Sequence, residues 1–268
     1  MPEIARRALG DRRRSTIWWS IGVALYSGVI VASYPAVRDQ EEQLNQFANE
    51  FSPEMMALVT GGDASMDFTS PAGYVNSQLT GLILPILLVI LGVGFASSTT
   101  AGEEDAGLLD LTLSYPISRR SVLLQKLAVL VVLVTIVAGV CLATVMAAGV
   151  AVDLSLDAGN VAGALVVQTL LGVLFGALAM ALATATGSKG LAAGVAAGFA
   201  GATYLIGALA PVVSWLEPLR WISPFHYATA DNPLANGISL ADVVVLTVAA
   251  LAFAAASLWC FERRDLHA

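Results

Sequence analysis

Residues 122–152 read VLLQKLAVLVVLVTIVAGVCLATVMAAGVAV. After Lys126 no charged side chain occurs to the end of the run. The stretch is longer than the ~20 mostly apolar residues a helix needs to cross a bilayer. It is continuous rather than alternating, which excludes the strand of a β-barrel. Five further apolar runs occupy 16–34, 71–98, 161–186, 190–215 and 241–261. The chain is 57% hydrophobic and 12% charged, against about 25% charged in a soluble domain. The expected fold class is all-α: a polytopic membrane protein with six transmembrane helices within 16–268, preceded by a short amphipathic helix over 1–15.

Basic residues favour the cytoplasmic side of a membrane. With the N-terminus inside, Arg6, Arg7, Arg12, Arg13, Arg14, Arg119, Arg120, Lys126, Lys189, Arg263 and Arg264 all fall inside. Of the 13 Lys and Arg, only Arg38 and Arg220 fall outside. Both termini are therefore expected in the cytoplasm. The net charge of −7 comes from acids in the outer loops, where they keep those loops solvated. Nothing basic enough for nucleic acid stands away from the membrane surface. Cys141 and Cys260 lie at different depths, so no disulfide is expected.

Between the spans the chain carries local signals. Arg12–Arg14 before an apolar run resembles a signal peptide, but the run is too long and no small-x-small site follows, so an uncleaved first span is expected. The outer loop over 35–70 has Leu44, Phe47 and Phe51 at helical spacing, then Met55, Met56, Leu58 and Val59, and is expected to form amphipathic interfacial helices. Ser70-Pro71 opens the second span as an N-cap with proline at the first helical position. The few residues around Gly187-Ser188-Lys189 force an antiparallel hairpin. Gly172 and Gly176, and Gly190, Gly194 and Gly198, recur at the spacing that lets membrane helices approach closely. They suit packing within the chain or an interface with a second subunit. Pro218, Pro224 and Pro233 break the last outer loop into short helices. His226 there has one nearby carboxylate, Asp231, too few for a metal site.

Several chemistries lack their residues. The spans hold no clear acid, base or ion pair near mid-bilayer, and Gln168 is their most conspicuous polar side chain. That weighs against proton coupling. No phosphate-binding Gly-x-x-x-x-Gly-Lys-Ser/Thr stretch exists. No Ser/His/Asp set exists either, and no catalytic residue, metal site or cofactor of the chain's own is expected.

One charged stretch stands out, AGEEDAGLLDLTLSYPISRR at 101–120. Glu103, Glu104 and Asp105 suit the positive end of a helix dipole. Ala106, Leu109 and Leu113 form an apolar stripe. Tyr115-Pro116 ends the helix, and Ser118 can cap the third span. An acidic helix on the leaflet that attracts basic residues is suited to a protein surface rather than to anionic lipid.

These residues resemble a family signature. Glu104-x-x-Gly107-Leu108-Leu109-Asp110, then Ser114-x-Pro116-Ile117-Ser118-Arg119, is similar to the run after the second span of type-2 ATP-binding-cassette (ABC) exporter permeases. Leu108 stands where that family usually has threonine. The six spans, the basic N-terminal helix and Ser223-Pro224-Phe225 also match. The resemblance implies a membrane subunit, paired with a second permease as a homodimer or heterodimer, each bound to a separate ABC ATPase subunit that holds ATP and Mg. It implies that 101–115 is the coupling helix, with Glu103, Glu104, Asp105, Gly107 and Asp110 at the ATPase contact. It further implies a path or dimer axis near Gly194 and Gly198, and residence in a prokaryotic plasma membrane. The uncharged interior favours a lipophilic drug, antibiotic or lipid over sugars or phosphates. A secondary carrier without ATP and a non-transporting anchor subunit remain as alternatives.

Overall fold

Each span after the first opens where a short polar side chain can take up free N–H groups of its first turn. In the computed structural model, which describes residues 3–40, 52–60, 70–105, 118–229 and 232–263, Ser70 accepts from Gly73 N at 3.1 Å. Ser118 accepts from Ser121 N at 3.3 Å. Asp157 accepts from Asn160 N at 2.9 Å, and Ser188 from Leu191 N at 3.3 Å. Ser239 accepts from Ala241 N at 3.2 Å.

The helices are α1 (Glu3–Arg38), α2 (Pro53–Thr60), α3 (Pro71–Val75), α4 (Ile83–Thr99), α5 (Ala101–Asp105), α6 (Arg119–Ala151), α7 (Ala158–Thr186), α8 (Lys189–Leu209), α9 (Pro224–Thr229), α10 (Pro233–Asn236) and α11 (Leu240–Arg263). A π turn, Asn76–Thr80, follows α3, and a 3₁₀ turn, Glu217–Ile222, precedes α9. Among the described residues no strand occurs, and six helices are long and apolar enough to cross a membrane. The protein is a multi-pass, all-α membrane protein.

Three elements differ from the expectation. The segment over 1–15 and the first span do not separate: α1 runs unbroken from Glu3 to Arg38, with Pro35 inside it. The fifth span ends at Leu209 rather than 215, because Pro211 has no N–H to continue the ladder. The second span is broken. Gly81 N reaches back five residues to Asn76 O at 2.7 Å, and Leu82 leaves helical geometry at φ −134°. Gln168 Nε2 donates to the Thr80 carbonyl at the break, at 2.9 Å.

The centre of the bundle is α7, which packs on α4, α6, α8 and α11. Lipid is as apolar as leucine, so close packing rather than hydrophobic transfer holds such helices together. Gly172 supplies it: a Cβ there would lie 3.0 Å from the Leu88 carbonyl oxygen of α4. A Cβ at Gly176 would lie 2.8 Å from Leu130 Cδ1 and 3.2 Å from the Gly92 carbonyl oxygen. One apolar cluster joins α1, α4 and α6 around Val31, Leu88 and Val134. A second joins α4, α7, α8 and α11 around Phe175, whose ring lies 5.5 Å from that of Phe225.

The α7–α8 hairpin turns in two residues. Gly187 takes the left-handed conformation, φ 67°, that ends a helix at low cost. Ser188 then caps α8. In the loop over 35–70, α2 realises the helical pattern at Met55–Val59, while Leu44, Phe47 and Phe51 lie outside the described residues. Hydrogen bonds from its own N–H and from the Ser52 hydroxyl hold the Glu54 carboxyl below the usual range at the start of α2.

Candidate functional site: the base of the acidic stretch and the open face of α8

The acidic stretch starts one residue after α4, so its first turn inherits the position of that span. Glu103, Glu104 and Asp105 all fall on α5. Gly107 and Asp110, with the rest of 106–117, lie outside the described residues.

Glu103 turns toward the bundle. Its carboxylate accepts from Lys126 Nζ of α6 at 2.8 Å, and the Lys126 side chain is only 4% exposed. The same ammonium donates to the Thr99 carbonyl. That carbonyl is one of those a helix C-terminus leaves without a donor, and a cation is the partner its negative dipole end favours. A buried charge must be paired; here one carboxylate and one helix end do so together.

Other elements meet at this level. Arg12 Nη2 of α1 donates to Ser98 Oγ at 2.7 Å, and its guanidinium lies 5.7 Å from the Phe95 ring centre. A Cβ at Gly102 would lie 3.3 Å from Lys189 Cδ of α8. Arg120 of α6 holds Glu262 of α11 with two hydrogen bonds, one of them Nη2 to Oε2 at 2.8 Å. The base of the acidic stretch is thus tied to α6, the end of α4 to α1, and α6 in turn to α11, with Lys189 of α8 close by.

In the sequence Glu103 is one of four acids in the stretch and Lys126 one of eleven basic residues on the inner side, and nothing in residue type pairs them. The missed signal was position. Lys126 is an ammonium within an apolar run, and such a group needs a partner near its own depth. The acids just beyond the second span were the nearest carboxylates along the chain.

The two glycine sets separate. Gly172 is consumed by packing within the chain. Gly190, Gly194, Gly198 and Gly201 have nothing within 4 Å of a built Cβ. They share the outer face of α8 with Leu191, Val195 and Leu205, each about half exposed. This face is smooth, apolar and unpartnered within one chain.

In the last loop Asp231, the carboxylate near His226 in sequence, lies outside the described residues. His226 packs edge-on against Trp221 at 5.2 Å, and Arg220 stacks 4.5 Å from the Trp221 ring centre. Among the described residues no group of three or more His, Cys, Asp or Glu could hold a metal.

The fold is a six-span helical bundle whose acidic turn is held by a lysine of the following span. Over residues 3–266 the chain matches the family described as ABC-2 family transporter protein, and it belongs to that family. It is accordingly a membrane transport component of an ABC transporter, a class that works with an ABC ATPase subunit. No curated protein matches the chain.

Proposed function

We propose that the chain is the permease half-unit of an ATP-driven exporter. Two copies, or this chain and a related one, pair across α8. Each carries a separate ATPase docked on the stretch over 103–110, with both termini on the cytoplasmic side of a prokaryotic plasma membrane. ATP and Mg belong to the ATPase. The cargo is lipophilic, in keeping with the apolar groove of about 470 Å³ lined by Trp18, Trp19, Val23 and Leu87 between α1 and α4.

The clamp on Glu103 is the observation that carries the reading. A docking element transmits force only if it is stiffly attached. Lys126 joins α5 to the third span and to the end of α4 at once. Movement of an ATPase against Glu104 and Asp110 would therefore be passed to both spans and shift the bundle between inward and outward access.

The test is to purify the tagged chain from its native membranes in mild detergent. A nucleotide-binding ATPase is expected in equal amount. Reversing Glu104→Lys and Asp110→Lys should release it, or abolish substrate-stimulated ATP hydrolysis, with the melting temperature unchanged. Full coupling in that variant would overturn the docking assignment. A secondary carrier is the second reading, and the break in the second span favours it, since unwound carbonyls can coordinate a coupling ion. Transport that follows an ion gradient and ignores ATP would establish it.

A further inference from the structure

The last four carbonyls of a helix have no donor within that helix. In the 8-residue α2, two of them are taken by side chains from different spans. The Tyr204 hydroxyl of α8 donates to the Leu58 carbonyl. Asn76 Nδ2, at the start of the π turn in the second span, donates to the Thr60 carbonyl at 2.9 Å. Asn76 is itself aimed by Thr80, whose hydroxyl donates to its Oδ1 at 2.8 Å. Ala57 and Thr60 are completely buried. A Cβ at Gly81 would lie 2.8 Å from both the carbonyl carbon and the oxygen of Thr60. The bulge of the second span is therefore shaped around the end of α2.

We propose that α2 is the gate of the transport path at the end opposite the acidic stretch: a strap across the second and fifth spans that must lift for cargo to leave. The inference rests on the transport reading above. Leu58 and Thr60 are two residues apart, about 3 Å along a helix. While both bonds hold, Asn76 and Tyr204 cannot move apart, and the spans that carry them stay closed at this end. The strap is held by neutral hydrogen bonds and small buried side chains. Such a contact is weak enough to open in every cycle. It also grips main-chain carbonyls, so its closure does not depend on the side chains at positions 58 and 60.

The reporter is Ala57→Cys, with Cys141→Ala and Cys260→Ala removing the native thiols, in nanodiscs with a membrane-impermeant maleimide. Met55→Cys, at a position 49% exposed, is the reference. Cysteine at 57 should react about tenfold more slowly than at 55 or slower still, as expected of a site that reacts only on local opening. Tyr204→Phe removes one bond and keeps the ring against Phe225, 5.2 Å away, and should speed the reaction about fivefold. Gly81→Ala should speed it too, by pushing the Thr60 backbone and touching no donor. With the co-purified ATPase, ATP and Mg should raise the rate at 57 and leave that at 55 unchanged. Equal rates at 57 and 55 in the otherwise unaltered protein overturn the strap, as does the absence of any acceleration in both variants. Protection that persists during substrate-stimulated ATP hydrolysis overturns the gate and leaves the transport reading standing. Protection without any ATPase partner removes the transport reading, and the gate with it.

Discussion

Lys126 and Glu103 are unequal partners. The ammonium is 4% exposed and the carboxylate 29%. Glu103→Gln leaves a buried cation without its counter-charge, which should cost about 2–3 kcal/mol, less than for a fully buried pair. Lys126→Met removes the buried charge itself and leaves a carboxylate that can turn to water. Its loss should be smaller, and the double variant should recover most of the difference. Thermal melts of the four proteins in one detergent check this order; an equal loss for both single variants would remove the clamp from the account. Arg120 and Glu262 supply the contrast. Their bidentate pair is open to solvent, where such pairs contribute little. Glu262→Gln should leave the melting temperature where it was.

At the scale of helices, the same substitution should have opposite effects on two of them. Gly176→Leu forces a side chain onto Leu130 and the Gly92 backbone, and should destabilise the single chain by the ~1–3 kcal/mol of an overpacked core or more. Gly194→Leu enters open space and should leave the melting temperature unchanged. If α8 is where two permeases meet, it should still shift the particle from dimer to monomer in mass photometry. A dimer that survives Gly194→Leu and Gly198→Leu together would place the interface elsewhere. The contrast also shows why some elements could be read ahead of the fold. The caps Ser70 and Ser118 act within one turn of themselves, so the local sequence contains their whole cause. The apolar runs were legible for the same reason: a span needs only length and composition. The break at 76–82 was not, because it fits the end of α2, a contact outside its own helical turn and 16 residues back in the chain. Glu103 could be assigned to a charged helix, but its inward turn depends on an ammonium from the next span. Both glycine sets had the same spacing, and only the packing of α7 tells them apart.

In the proposed arrangement all six apolar helices cross the membrane, and the chain returns to the cytoplasmic side on which it began. A fluorescent protein that matures only in the cytoplasm should therefore light up when fused at either terminus, and a periplasm-dependent phosphatase should be silent at both. A split result would refute the arrangement that puts the basic residues and the acidic stretch together on the ATPase side. The molecule then has one end where Arg12 of α1 and Lys126 of α6 hold the end of α4 and Glu103, and an opposite end where α2 lies across the second and fifth spans. The π turn between these ends has one more consequence, which is angular. A helix turns by about 100° per residue, and a π turn is a one-residue insertion into an α-helix. The insertion sets the phase between the two halves of the second span. Asn76 can point at α2 while Gly92 meets Gly176 because the halves are clocked by that surplus residue. Deleting any one residue between 76 and 82 would leave composition and hydropathy almost untouched. It would rotate α4 by about a quarter turn against its neighbours, and the chain would have to give up either the strap or the glycine seam.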